Sequence, residues 1–118
     1  MNKKKIKIVK KVWGFEKWVR NDEKYCMKEL TLNKDYFCSV HAHHIKTETF
    51  YIAKGRVNLQ IEKDSKLEGN ILSFGDFYHI DIGVYHRFIG LEDSIIIECS
   101  TRHYDEDSYR KEPSGKIK

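Results

Sequence analysis

The sequence predicts an all-β barrel or sandwich. Apolar residues recur with period two, short candidate strands alternate with turn residues, and no window carries an amphipathic helix. Val57, Leu59 and Ile61 alternate with Arg56, Asn58 and Gln60, as in a strand with one face in a core. Just before them, Glu48, Phe50 and Ile52 share one face, with Thr49 and Tyr51 on the other. Ala53-Lys54-Gly55-Arg56 lies between the two runs and suits a hairpin turn. Further strands are expected at 12–19, 25–32, 36–43, 70–73, 77–81, 86–91 and 94–100. Asn33-Lys34-Asp35, Glu68-Gly69-Asn70, Gly75-Asp76, Gly83 and Glu92-Asp93 supply the turns between them. Residues 103–111 are too polar for a core element and predict at most one loose helical turn.

A chain of 118 residues predicts one domain, 1–118, with a basic arm at about 1–11 and a polar tail at about 103–118, frayed after Pro113. Its 2 Trp, 7 Tyr and 6 Phe, within 40% hydrophobic residues, supply a core and exclude global disorder. No apolar run is long enough for a membrane helix, and MNKKKIKIVKKVW lacks the apolar region and cleavage site of a secretory signal. A soluble cytoplasmic protein with no membrane contact is therefore expected. The net charge of +4 is misleading: residues 1–24 hold nine basic and three acidic side chains, a net of +6, which leaves −2 for the rest. The basic character belongs to the arm, and nucleic-acid binding is not expected. Cys26, Cys38 and Cys99 are odd in number, widely spaced and without a C-x-x-C pair. They are expected to be reduced thiols packed as small hydrophobes.

Histidine placement carries the chemistry. His41 and His43 stand two apart on an expected strand, so their imidazoles leave the same face. Glu48 follows after a short bend and can return a carboxylate oxygen to the same ion, and His86 can add a third imidazole from a later strand. Three nitrogens and one oxygen, with coordination positions left open, suit one Mn, Fe, Co, Ni or Zn ion in a catalytic site. His44 has the wrong parity and His79 lies outside this spacing.

His41-x-His43-x4-Glu48-x6-Gly55 resembles the first motif of the cupin superfamily, and Gly75-x7-Gly83-x2-His86 resembles the second. Asp35, Asp81 and Gly90 depart from the glycine, proline and asparagine often found there, and none of these is a metal ligand in the family. The resemblance implies a small double-stranded β-helix, jelly-roll-like, with the metal held inside by His41, His43, Glu48 and His86. Trp13-Gly14-x-Glu16-x-Trp18, Tyr25-Cys26-x-Lys28, Ser39 and the closing Glu98-Cys99-Ser100-Thr101-x-His103 with Asp107-x-Tyr109-Arg110 are similar to single-domain cupins of the mannose-6-phosphate isomerase type.

That resemblance implies a metal-dependent isomerase interconverting an aldose and a ketose, with a sugar or sugar phosphate as substrate. Lys28 shares parity with Cys26, Leu30 and Leu32, and Glu98 shares parity with Ile96 and Ser100, so both are expected to face inward. Glu98 and Lys28 are the candidate acid/base groups; Lys28, His103 and Arg110 are the candidate substrate contacts, Arg110 as a phosphate clamp. The same ligand set also suits an Fe(II)-dependent dioxygenase, or a non-catalytic module that binds a sugar or a partner. Exposed strand edges favour pairing, so a homodimer is expected, with the strand of Trp13 and Trp18 as its candidate surface.

Overall fold

A computed structural model describes residues 6–118; among them it contains strands, one short 3-10 turn and no helix long and apolar enough to cross a membrane. In chain order the strands are β1 (Lys7–Lys11), β2 (Gly14–Asn21), β3 (Cys26–Leu32), β4 (Tyr36–Phe37), β5 (Val40–Ala42), β6 (Glu48–Lys54) and β7 (Arg56–Lys63). They continue with β8 (Lys66–Ser73), β9 (Phe77–Ile80), β10 (His86–Gly90), β11 (Ser94–Ser100), β12 (Tyr109–Glu112) and β13 (Gly115–Lys116). One antiparallel sheet has the order β1-β2-β3-β11-β6-β9. In the other, β10 pairs with β7 on one side and with β4 and β5 on the other; β8 flanks β7, β12 flanks β5 and β13 flanks β4. The all-β expectation holds, and the two sheets form a small barrel.

Several local expectations change. Ala53–Arg56 is not a hairpin turn: β6 pairs with β11 and β9, and β7 pairs with β10 and β8, so the turn carries the chain between sheets. Gly55 makes that crossing with φ +84, and a Cβ there would stand 2.3 Å from Ser94 Oγ. Residues 36–43 are two short strands, both laid against β10. The turn expected at 68–70 lies instead at Asp64 and Ser65, both with positive φ. Lys7–Lys11, expected in the basic arm, is a strand paired with β2, while 1–5 lie outside the described residues. Gly115 and Lys116, expected to fray, pair with Phe37 and Tyr36. Asp35, where the family often has glycine, has φ +70, the backbone region that favours glycine.

Strand parity builds the interior and also divides it. On β3, Leu32 and Leu30 point inward, followed by Lys28; on β11, Ile96 is followed by Glu98; on β6, Ile52 and Phe50 give way to Glu48. On β10, Phe88 is followed by His86. One end of the barrel is thus an aliphatic and aromatic core, with Phe50 edge-on to Phe88 at 4.6 Å, and the other end is a buried polar cluster. Register aligns the switch: Glu98 lies opposite Lys28 and Phe50, Ser100 opposite Glu48, and His86 opposite His41.

Candidate metal centre

His41 comes from β5, His43 from the bend after it, Glu48 from the start of β6 and His86 from the start of β10. The His41 and His86 rings are 4.6 Å apart between centroids, and those of His41 and His43 5.2 Å. Each ring turns its Nδ1 to a backbone carbonyl: His41 to Ser39 at 2.8 Å, His43 to Asp107 at 2.6 Å and His86 to Val84 at 2.9 Å. A carbonyl only accepts, so Nδ1 carries the proton in all three and each neutral ring keeps its Nε2 lone pair. Hydrogen bonds of this kind orient imidazoles for metal binding.

The carboxylate supplies the sharper observation. Glu48 Oε2 lies 3.2 Å from His86 Nε2, and Glu48 Oε1 lies 3.7 Å from His43 Nε2. Glu48 Oε2 and His86 Nε2 are both buried and, among the described residues, have no hydrogen-bond partner. With His86 Nδ1 protonated, these atoms are two acceptors facing each other in the interior, an arrangement that a cation between them relieves. Three neutral imidazoles and one carboxylate fit a transition ion of intermediate softness. The donors are gathered but not closed on one point: among the described residues no three His, Cys, Asp or Glu already stand as a ligating group. A buried cation, the Lys46 ammonium, meanwhile sits 3.2 Å from Glu48 Oε1.

Lys46 is the site residue that the sequence reading missed. Its side chain is 2% exposed, and Nζ reaches Glu48, Glu98 Oε2 at 3.1 Å and His103 Nδ1 at 2.9 Å. Its parity, two residues before Glu48, was the available signal. Burial alone would lower its pKa, but the carboxylates of Glu98 and Glu48 outweigh that and keep it charged. Glu48 is pushed up by burial, yet the Lys46 ammonium beside it holds it below the usual carboxylate range. Glu98 is raised, first by burial and then by the charge of Glu48.

Lys28 and Glu98 both lie inside the barrel. The Lys28 ammonium packs 4.1 Å from the centre of the Trp18 ring, and its nearest carboxylate oxygen, on Glu16, is 3.8 Å away, beyond hydrogen-bond reach. His103 stands edge-on to Trp18 at 5.2 Å, and Arg110 is exposed on β12 opposite His41. All four line a cavity of about 560 Å³ that also reaches His41, His43 and the β1 lysines Lys7, Lys10 and Lys11. Lys7, Lys10 and Lys11 of the basic arm therefore rim this cavity. Trp13 is in the core and Trp18 lines the cavity. Cys26 and Cys38 are buried, but Cys99 is exposed and does not pack as a small hydrophobe. His44 and His79 lie on the surface, against Tyr109 and Thr49.

The histidines are expected to make the metal-free protein acid-sensitive. Burial holds His41 down at about 3, and burial, then Lys46, holds His103 at about 4. Both titrate near 6.5 when unfolded. Between that value and their folded values the unfolded chain binds more protons, so stability is present above 6.5 and is lost as pH falls through the window. Glu98, raised in the fold by burial, acts in the opposite sense above 4.5. In chelator, the urea midpoint is expected to be lower at about pH 4.5 than at about pH 7, by roughly 1–3 kcal/mol of stability. Equal midpoints would contradict this account of the histidines.

No protein-family model and no curated protein sequence matches the chain. Solved structures do. The capsular polysaccharide assembling protein CapF from Staphylococcus aureus superposes with a TM-score of 0.78 at 16% identity, over 92% of this chain and 34% of that one. KdgF from Halomonas sp. gives 0.69 at 20% identity, over 78% of this chain and 82% of that one. Oxalate decarboxylase from Bacillus subtilis gives 0.77 at 14% identity, over 89% of this chain and 30% of that one. At these identities the likeness is one of fold, the cupin barrel. The chain spans about a third of the length of CapF and of the decarboxylase.

Proposed function

We propose that this barrel is a metal-dependent isomerase that interconverts an aldose and a ketose, acting on an anionic sugar such as a sugar phosphate. The observation that carries the reading is the buried Glu98–Lys46–His103 chain set beside the histidine Nε2 atoms, with the Lys28 ammonium, 3.8 Å from Glu16 and short of a hydrogen bond to it, facing the same cavity. Isomerisation needs a group that takes a proton from one carbon and returns it to the next. Glu98, with its pKa raised, suits that task better than an ordinary carboxylate. A divalent ion held by His41, His43, Glu48 and His86 would supply Lewis-acid polarisation of the substrate carbonyl.

The chain's own groups do the rest. The Glu98 carboxylate accepts the C2 proton of the open-chain aldose and delivers it to C1. The hydroxyl proton passes from O2 to O1 across the enediol, so that the C1 carbonyl becomes a hydroxyl and the C2 hydroxyl a carbonyl. The Lys46 ammonium, held between Glu98 and His103, stabilises the carboxylate each time it is ionised. Lys28, His103 and Arg110 hold the sugar, and the Lys7, Lys10 and Lys11 rim favours a negatively charged end group. The two buried thiols and the exposed Cys99 suit the reducing cytoplasm, where we place the protein.

The test is turnover of a panel of aldose phosphates and free aldoses by protein reconstituted with Mn, Co, Ni, Zn or Fe, alongside oxygen uptake. Isomerisation dependent on a divalent ion and favouring phosphorylated sugars is expected. Oxygen consumption restricted to the iron form would replace this reading with a dioxygenase. A ligand-dependent rise in Tm without turnover would replace it with a binding module. Light scattering on the same preparation reads the homodimer, which a monomer mass would overturn.

A further inference from the structure

The geometry points to Asp107 as a positioning residue for metal binding: its carboxylate moulds the bend between His43 and Glu48 so that both side chains face one ion. This rests on the metal reading of the site given above.

Asp107 ends the 3-10 turn Asp105–Asp107, and it is 1% exposed. Its Oδ1 accepts the backbone N–H groups of His44 at 2.8 Å and Ile45 at 3.1 Å. Oδ2 accepts those of Ile45 at 3.1 Å and Lys46 at 3.2 Å. Three consecutive amides of a bend, which no strand partner satisfies, thus converge on one carboxylate, a concavity that suits an anion. The carbonyl of the same residue accepts the Nδ1 proton of His43 at 2.6 Å. One residue therefore fixes both the ring that opens the bend and the backbone that returns the chain to Glu48.

The contact is remote in sequence, 61 to 64 residues away, so it exists only when the C-terminal segment docks. Pairing of β12 with β5, with Arg110 opposite His41, lays that segment along the ligand strand. An asparagine at 107 keeps one acceptor oxygen and loses the other, so it can hold only part of the bend. Alanine keeps neither.

Asp107→Ala and Asp107→Asn, with Glu106→Gln as an exposed control, would be titrated with Co(II) and followed by the visible d–d bands and by metal competition. Hydrogen exchange at the His44–Lys46 amides would be read on each metal-free protein. Asp107→Ala is expected to weaken Co(II) binding about 10–100-fold, change the band pattern and speed exchange at those amides, with Asp107→Asn intermediate and Glu106→Gln unchanged. Should alanine fail to fold, the asparagine variant carries the test by the same readouts. Wild-type affinity and bands in folded Asp107 variants would overturn the proposal while leaving the metal reading intact. A wild-type chain that takes up no Co(II), or a His86→Ala variant that binds it normally, would overturn the metal reading and this inference with it.

Discussion

His86→Ala, alone or with His41→Ala, is expected to leave a folded barrel that holds no stoichiometric metal, where the wild-type chain holds about one ion. Elemental analysis by plasma mass spectrometry after reconstitution and desalting reads this directly. His86 is fully buried, and its Nε2 faces Glu48 Oε2 at 3.2 Å with no hydrogen bond to either atom among the described residues. Truncation removes one of two facing acceptors, and that relief offsets part of the cavity cost, so the loss of stability should fall below the ~3–5 kcal/mol usual for emptying a large buried site. Metal affinity has no such compensation, because the ring is a proposed ligand, and turnover should vanish with the ion. Variants that retain one ion per chain would remove His86 and His41 from the centre. A wild-type chain that stays metal-free after reconstitution would leave the barrel standing and end the isomerase reading.

The inward faces were legible because a strand reports its faces through parity alone. Lys28, Glu98, Glu48 and His86 could each be placed inside from their neighbours: Leu30, Ile96, Phe50 and Phe88 share their parity and need a core. What parity cannot supply is the partner across the barrel. Glu98 meets Lys46, which lies in a bend, and Asp107 reaches the same bend from a polar segment that gives no sign of burial. The Asp107 contact depends on how β12 docks on β5, a tertiary event with no local signature. Ala53–Arg56 failed as a hairpin for a related reason: a glycine turn between two alternating strands reads the same whether the strands pair or part to opposite sheets. The β1 lysines looked like a solvated end because an edge strand carries lysines for its own protection, and only the folded register brings them to the cavity rim.

Glu98→Gln separates catalysis from metal binding more cleanly than any ligand variant. The amide is nearly isosteric, its oxygen still accepts from Lys46 Nζ, and no proposed ligand is touched. Metal content should therefore stay at the wild-type level while kcat falls about 10²–10⁴-fold, the usual worth of a positioned general base. Lys28→Met reads the other half of the site. Its ammonium is buried, packs on Trp18 and has no carboxylate within hydrogen-bond reach, so its charge is available to a ligand. Losing a charged hydrogen bond worth about 1.5–3 kcal/mol should raise KM roughly 10–100-fold for phosphorylated sugars. Free sugars should show a smaller rise, because they bring no anion to meet the ammonium. If Glu98→Gln isomerises normally with a full complement of metal, the proton passes through another group, and His103, already bonded to Lys46 at 2.9 Å, becomes the next residue to replace.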